Sequence, residues 1–122
     1  MKNITVINQS KPDCLPITAK YCDTFMCRFR GLMLQKSLSP NMGVLLVESG
    51  ESKINASIHM LFMNFDIAAI WLNDYLQVVD TVLAQRWKAL YLPQSPARYI
   101  LETHPSRLSD FNRGDQLRFD DA

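Results

Sequence analysis

Residues 66–82 decide the fold, and they read Asp-Ile-Ala-Ala-Ile-Trp-Leu-Asn-Asp-Tyr-Leu-Gln-Val-Val-Asp-Thr-Val. Two largely apolar runs, residues 66–72 and 75–82, lie on either side of Asn73-Asp74. Asparagine and aspartate tolerate the left-handed backbone geometry that a tight turn between antiparallel strands requires. The stretch therefore predicts a β-hairpin near the middle of the chain.

Further strands are predicted on both sides of this hairpin. Two runs of alternating apolar residues, Ile4 and Val6 and then Leu15, Ile17 and Ala19, lie on either side of a turn-forming cluster at residues 9–13. This pattern predicts an opening hairpin. Other strands are predicted at residues 44–47, 97–103 and 116–119, residues 57–60 are strand-like, and residues 85–95 form a loop. Strands therefore dominate the chain.

One amphipathic helix is predicted over residues 23–35. The apolar residues that recur there at helical spacing are Phe25, Met26, Phe29, Leu32 and Met33. This spacing is typical of a helix that buries one face, and Asp23 or Thr24 is available as the N-cap. Gly31 inside the helix costs about 1 kcal/mol relative to alanine. A glycine at this position suggests the close approach of another backbone.

The length of the chain predicts a single domain over residues 1–122, because 122 residues bury one core but not two. A short second helix is predicted at residues 105–111, since Pro105 fits the first turn of a helix. The expected class is α+β, with a mostly antiparallel, curved or barrel-like β-sheet. The main helix is expected to pack across that sheet.

The charge balance gives no reason to expect a nucleic-acid or membrane partner. Thirteen Lys and Arg residues oppose twelve Asp and Glu residues, so the formal net charge is +1. The N-terminal residues lack the apolar core of a signal peptide. The longest apolar stretch, residues 67–72, is too short to span a bilayer. No nucleic-acid partner and no membrane association are predicted.

The cysteine and histidine pattern predicts no disulfide, no metal and no cofactor. Cys14, Cys22 and Cys27 are odd in number and form no CxxC pair, which favours free thiols in a reducing, cytoplasmic compartment. We interpret Cys27 as a small core residue rather than a nucleophile. His59 and His104 lack a paired ligand at short spacing. The methionines are interpreted as core residues rather than copper ligands.

Four colinear segments resemble the DUF192 family, whose small bacterial and archaeal domains have no settled activity. The segments are Arg28-Phe-Arg30-Gly31-Leu32-Met33 with the following residues 37–45, Ile58-His59-Met60-Leu-Phe62-Met63, Trp87, and Ala97-Arg98-Tyr99-Ile100-Leu101-Glu102 with Gly114-Asp115. They cover most of residues 28–118 in the family's order. The resemblance implies the same strand-rich fold.

Two segments depart from the family pattern. Where the family usually has Pro-(Ile/Leu)-Asp, this chain reads Asp66-Ile67-Ala68, so Ala68 occupies the family's carboxylate position. Positions two apart in a strand share a face, which would let Asp66 partly replace the missing acid. The Pro-Ala-Gly common in the family is His104-Pro105-Ser106 here. If the family's site used that aspartate, the site in this chain is altered or inactive.

The leading functional hypothesis is a non-enzymatic small-molecule-binding or accessory, protein-interaction domain. Its site is expected near the Arg30-Gly31 helix and the His59 segment, with Arg30, His59, Asp66 and Arg98 as binding residues. A guanidinium forks onto carboxylate or phosphate, so the expected ligand is a small anion or a protein partner.

Each of these residues also has a structural interpretation. Arg30 would then tie the helix to a buried acid such as Glu102 or Asp115. Arg98 and Glu102, four apart in a strand, would form an ion pair. His59 would be a half-buried histidine with a satisfied ring.

Two other functions remain open at this point. The first is a small enzyme that uses His59 with Asp66 as an acid-base pair, which requires the two side chains to lie within hydrogen-bond reach on a concave surface. The second is a structural homo-oligomer that pairs through an exposed strand edge.

Overall fold

The computed structural model describes residues 2–121, and within this range the chain forms seven strands, one α-helix and one 3-10 helix. The elements are β1 (Asn3–Asn8), β2 (Ile17–Cys22), α1 (Phe25–Arg30), β3 (Met42–Ser52), β4 (Ile67–Leu72), β5 (Val78–Ala84), β6 (Ala97–Thr103), the 3-10 helix (Pro105–Asp110) and β7 (Leu117–Asp121). The domain is mostly β, with two short helices. No helix among the described residues is long and apolar enough to cross a membrane.

The strands form one mixed sheet in the order β5-β4-β6-β3-β2-β1-β7. Every pairing is antiparallel except that of β2 with β3. The sheet curves until its two edges touch, through a bridge between Gln77 and Gln116. It does not close, because no ladder pairs β5 with β7 among the described residues, and the backbone hydrogen bonds near the bridge join residues 76–78 to the turn at residues 114–115 and to Leu117. The expectation of a barrel-like sheet is therefore wrong, and β5 and β7 remain edge strands.

The central hairpin is confirmed, although its turn is longer than predicted. Strand β4 pairs with β5 in antiparallel register, and all six residues of β4 are buried. The turn extends to residue 77 because the side-chain oxygen of Asn73 accepts hydrogen bonds from the backbone N–H groups of Tyr75, at 2.9 Å, and Gln77, at 3.0 Å. An asparagine at this position organises the turn by the interaction usual for Asx turns.

The other strand predictions are mostly confirmed. The opening hairpin β1–β2 and strand β6 form where the sequence placed them, and β3 is longer than residues 44–47. The helix predicted at residues 105–111 is the 3-10 helix, with a proline in its first turn. Residues 57–60 are not a strand, since one isolated bridge between Ile58 and Tyr91 holds that segment.

Helix α1 is much shorter than the predicted helix 23–35. The side-chain oxygen of Thr24 accepts a hydrogen bond from the backbone N–H of Cys27 and so caps the start of the helix. Gly31 ends it with φ +47° and ψ −120°, a conformation suited to glycine. The predicted apolar face enters the core only in part. Phe25 and Phe29 stay 70% and 51% exposed, whereas Leu32, which follows the helix, is buried in the core.

Cys22 and Cys27 form a disulfide that joins the end of β2 to α1, with their Cα atoms 5.3 Å apart. Cys14 is a free thiol. The prediction that all three cysteines are free is therefore wrong, since the first turn of α1 brings Cys27 back to β2. The cytoplasmic location inferred from free thiols loses that support.

Removing this disulfide should cost about 2 kcal/mol, the amount expected from the entropy of closing so short a loop in the unfolded chain. We expect Cys22→Ser/Cys27→Ser to unfold at lower urea concentration than the wild-type protein under oxidising conditions. Cys14→Ser is the matched control and should leave the midpoint unchanged. Equal midpoints of the double variant and the wild type would contradict the prediction.

Candidate binding site

A pocket of about 490 Å³ lies between α1, one face of the sheet and the segment 55–63. The residues that line it are Phe25, Arg28, Phe29, Arg30, Gly31, Leu32, Leu46, Glu48, Ser49, Asn55, Ser57, Ile58, His59, Met63, Leu90, Ile100 and Glu102. Its buried members, such as Leu46 and Ile100, form the inner end, and its exposed members, such as Phe25 and Leu90, form the mouth.

Glu102 is the charged side chain at the inner end of the pocket. It lies in the middle of the sheet on β6, opposite Val44 of β3 and Ala69 of β4, and is 4% exposed. No hydrogen bond or ion pair joins its carboxylate to another described residue. Because no fully enclosed side-chain oxygen among these residues lacks a partner, the oxygens of Glu102 must reach the surface of the pocket. Burial raises the pKa of Glu102 to about 7, because the charged form is poorly solvated there.

Gly31 makes room for this carboxylate. A Cβ atom on Gly31 would lie 2.7 Å from Oε1 of Glu102, closer than such atoms approach. The positive φ is what requires a glycine here, and the acid adds a contact that the end of the Glu102 side chain would have to relieve by moving. The sequence predicted a close approach at Gly31, but the neighbour is a side chain and not a backbone.

The wall of the pocket contains an ion pair between Arg28 of α1 and Glu48 of β3. Nε of Arg28 lies 2.8 Å from Oε2 of Glu48, and both side chains are mostly buried. Nη1 of Arg28 also donates hydrogen bonds to the carbonyl oxygens of Asp23, at 2.7 Å, and Val47, at 3.2 Å. The charge of Arg28 is therefore neutralised inside the protein.

Arg30 lines the mouth of the pocket and is exposed. It does not tie the helix to Glu102 or Asp115 as the structural interpretation expected. Asp115 instead pairs with Lys11 at 3.5 Å and accepts a hydrogen bond from Asn8 at 3.0 Å. The reason is that α1 ends at Gly31, which directs the last arginine of the helix outward.

His59 lines the pocket from the segment that faces α1. Its Nδ1 accepts a hydrogen bond from the backbone N–H of Leu61, at 3.3 Å, so Nε2 carries the proton. Nε2 then donates to the carbonyl oxygen of Phe29, at 2.9 Å. The expected satisfied histidine ring is confirmed, and its role in the pocket is to hold the segment against the helix.

Asp66 and Arg98, the other two predicted site residues, do not line this pocket. Asp66 accepts hydrogen bonds from the backbone N–H and from Nε of Arg86, at 2.9 and 3.1 Å, and lies in a separate groove. The backbone hydrogen bond from Arg86 is the main cause that lowers the pKa of Asp66. Arg98 donates to the carbonyl oxygen of Glu48 and lies 3.5 Å from Asp74.

The structure thus brings Arg30 and His59 together and separates both from Asp66 and Arg98. The expected ion pair between Arg98 and Glu102 is absent from the described residues, because Glu102 faces the pocket while Arg98 reaches Asp74. His59 is hydrogen-bonded to the carbonyl oxygen of Phe29, and Asp66 accepts a hydrogen bond from Arg86. The two side chains therefore do not form the acid-base pair of the enzyme hypothesis.

Sequence reasoning missed the residues that define the inner end of the pocket. Glu102 was considered only as an ion-pair partner, and Arg28 and Glu48 were not proposed as site residues. The available signal was a glutamate that directly follows the apolar run Tyr99-Ile100-Leu101 of a predicted strand and shares a face with Ile100. Ala68 belongs to the core on the opposite face of the sheet, so the departure from the family pattern there does not alter this pocket.

Within residues 2–121, no three His, Cys, Asp or Glu side chains are close enough together to hold a metal ion. The side chains that line the pocket are polar and apolar in about equal number. A curved mixed sheet with a pocket under a short helix, and a buried acid at the inner end of that pocket, defines a small β-rich domain with a ligand-sized cavity.

The chain belongs to the DUF192 family, whose model, described as "Uncharacterized ACR", matches residues 6–119. A UPF0127 protein of Thermococcus kodakarensis is 44% identical over 97 residues, which are 80% of this chain and 60% of that protein. A UPF0127 protein of Thermococcus gammatolerans is 39% identical over 117 residues, covering 94% of this chain and 74% of that one. The chain thus spans about three fifths of the first relative's length.

Two crystal structures share the fold at low sequence identity. A Sinorhizobium meliloti 1021 protein whose suggested role is that of a transcription regulator has a TM-score of 0.84 and 16% identity, over 97% of this chain and 92% of that one. A Novosphingobium aromaticivorans protein of unknown function has a TM-score of 0.81 and 17% identity, over 95% of this chain and 83% of that one. At these identities the likeness shows the fold alone.

Proposed function

We propose that this chain is a non-enzymatic domain that binds a small molecule in the pocket between α1 and the sheet. The observation that carries the proposal is Glu102, a carboxylate that is 4% exposed and has no partner among the described residues. Burying a carboxylate without a partner is costly. A ligand that donates hydrogen bonds to Glu102 would remove that cost when it binds.

The pocket is also of suitable size and composition. Its volume of about 490 Å³ falls in the range of small-molecule sites. Such sites combine apolar walls with a few placed polar groups. Here Leu46, Ile58 and Ile100 supply apolar wall, and Glu102 supplies a polar group at the inner end.

Binding is better supported than catalysis because Glu102 lacks a second reactive group. Acid-base chemistry needs a nucleophile or a second titratable group within hydrogen-bond reach of the reacting atoms. Both ring nitrogens of His59 are engaged by backbone groups, and Arg28 is paired with Glu48. No second free acid or base thus stands beside Glu102 among the described residues.

A fragment screen by thermal shift tests the proposal. Fragments in excess should raise the melting temperature. In two-dimensional NMR spectra, the binding fragments should move the backbone amide signals of Gly31, His59 and Glu102. The amide of Arg118 on β7, outside the pocket, is the internal control and should not move. A broad library without a single binder at these amides would contradict the proposal.

A further inference from the structure

The unpaired carboxylate at the inner end of the pocket also indicates which chemical class of ligand fits. We infer that the ligand is a small organic cation, with a protonated amino group that binds Glu102 and an apolar body that fills the pocket. This inference rests on the proposed function and adds the charge of the ligand to it. An ammonium group supplies three hydrogen-bond donors and a positive charge, and both match a carboxylate that lacks a partner.

Among the described residues that line the pocket, Glu102 is the acid without an ion-pair partner. From α1, Arg28 is neutralised by Glu48 of β3 at 2.8 Å, and Arg30 stands exposed at the mouth. From the segment 55–63, His59 turns its Nε2–H to the carbonyl oxygen of Phe29. The inner end of the pocket is therefore acidic. A negatively charged group placed there would be repelled.

The outer part of the pocket suits an apolar or aromatic body. The rings of Phe25 and Phe29 are stacked, with centroids 6.3 Å apart and an interplanar angle of 18°, and both are exposed at the mouth. Leu90 is also exposed there. Exposed aromatic rings beside a cavity bind both apolar groups and organic cations. A ligand with an amino group at its inner end would place its apolar part against these side chains.

Two other ligand classes fit less well. A divalent metal ion such as calcium takes six to eight oxygen ligands, whereas the described residues bring no group of three acidic or other metal-binding side chains together. A small anion, the ligand expected from the sequence, would find Arg28 already paired and Glu102 at the inner end. Arg30 at the mouth remains compatible with an anionic group at the outer end of the ligand.

A matched set of three fragments tests the charge preference. Benzylamine, benzyl alcohol and benzoate have the same ring and differ in the polar group, which is cationic, neutral or anionic. We expect benzylamine to bind the wild-type protein at pH 8 at least tenfold more tightly than benzyl alcohol, with benzoate weakest. Dissociation constants are measured by NMR titration, which also reports binding at the amides of Gly31 and Glu102.

Two variants locate the effect at the acid. Glu102→Gln keeps the shape of the side chain and removes its charge, so it should reduce the affinity for benzylamine at least tenfold. The affinity for benzyl alcohol, which donates a hydrogen bond but carries no charge, should fall by a clearly smaller factor. Glu51→Gln makes the same change at an exposed residue outside the pocket. It should leave the affinities for benzylamine and for benzyl alcohol unchanged. Folding of each variant is checked by its NMR spectrum.

The affinity for benzylamine should rise with pH as Glu102 ionises. With a pKa of about 7, the ionised fraction of Glu102 rises about tenfold between pH 6 and pH 8, while an amine stays protonated. Histidines as a class change charge in this pH range too, so His59→Gln is measured in parallel. The increase in benzylamine affinity between pH 6 and pH 8 should persist in His59→Gln and disappear in Glu102→Gln.

The outcomes separate this inference from the proposed function. If the fragments bind at Gly31 and Glu102 but benzylamine has no advantage over benzyl alcohol, the inference is overturned and the binding function stands. An unchanged benzylamine affinity in Glu102→Gln overturns it as well. If no fragment of any charge moves these amide signals, the proposed function itself fails.

Discussion

Replacing Glu102 with glutamine is expected to raise the free energy of unfolding at pH 8 by about 3 kcal/mol more than it does at pH 4. The wild-type glutamate must be ionised at pH 8 while it is buried without a partner. Glutamine has nearly the same shape and carries no charge. The comparison between two pH values cancels any constant difference in packing between the two side chains.

The sign follows from proton linkage. The pKa of Glu102 is about 7 in the folded protein and 4.5 as its ordinary value, which we take for the unfolded chain. Between these values the folded protein binds more protons than the unfolded chain, so stability falls as pH rises. The stabilising contribution of the protonated acid is complete below pH 4.5 and is lost by pH values above 7. A difference of 2.5 units corresponds to about 3 kcal/mol at 1.36 kcal/mol per unit.

Urea unfolding at several pH values measures this effect. Other acids, including Asp66, contribute equally to the pH dependence of stability in both proteins. The difference in the free energy of unfolding between the wild type and Glu102→Gln therefore reports on Glu102 alone. Glu51→Gln serves as the control and should track the wild-type curve. A constant offset between Glu102→Gln and the wild type from pH 4 to pH 8 would show that Glu102 is not held with a raised pKa.

The predictable part of the fold is the part set by local pattern. Residues 67–72 are continuously apolar, because β4 is buried on both faces of the sheet. Residues 97–103 were placed correctly as a strand for a similar reason. The barrel prediction was wrong, since closure depends on whether the first and last strands of the sheet order, β5 and β7, pair with each other, and these strands are distant in the sequence.

The helix error has a different cause. Phe25, Met26 and Phe29 have the spacing of a buried helix face, but the helix ends at Gly31 and these side chains remain at the surface. Periodicity indicates which residues share a face and says nothing of whether that face is covered. The same limit applies to the disulfide, because cysteine counting does not show that Cys27 returns to the end of β2.

Half of the predicted site is found together because Arg30 and His59 belong to the two segments that face each other across the pocket. Asp66 and Arg98 are closer to ordinary surface ion pairs, with Arg86 and Asp74. The most informative residue, Glu102, lies on a strand that pairs with both β3 and β4. Its burial depends on that tertiary pairing, which sequence spacing alone does not give.

Glu102 also connects stability with the proposed function. An ionised, unpartnered acid destabilises the folded protein, and the same acid gains most from a ligand that supplies a donor and a positive charge. The wild-type protein should therefore be less stable than Glu102→Gln without ligand and should bind amines more tightly. Such a trade-off between stability without ligand and affinity for the ligand is expected of a binding residue, and not of a residue that serves only the fold.

Substituting Gly31 with alanine is expected to lower the free energy of unfolding by about 2–4 kcal/mol, which combines a backbone cost with a steric cost. The backbone cost arises because φ +47° and ψ −120° are unfavourable for any residue with a Cβ. The steric cost is the smaller of the two and arises because that Cβ would lie 2.7 Å from Oε1 of Glu102, so the end of this side chain has to move. Urea unfolding at pH 7 measures the sum of the two.

A double-mutant cycle with Glu102→Ala separates these costs, because it removes the carboxylate and leaves the backbone conformation. Gly31→Ala should cost at least about 1 kcal/mol less in the Glu102→Ala background than in the wild type, and the remainder measures the backbone term. Gly50→Ala is the matched control, since a Cβ there meets nothing within 4 Å, and its effect should stay within about 0.5 kcal/mol. A cost of Gly31→Ala as small as that of Gly50→Ala would mean that neither the turn nor the carboxylate constrains this glycine. An equal cost in both backgrounds would leave the turn alone responsible, and the close packing of Gly31 on Glu102 would have to be abandoned.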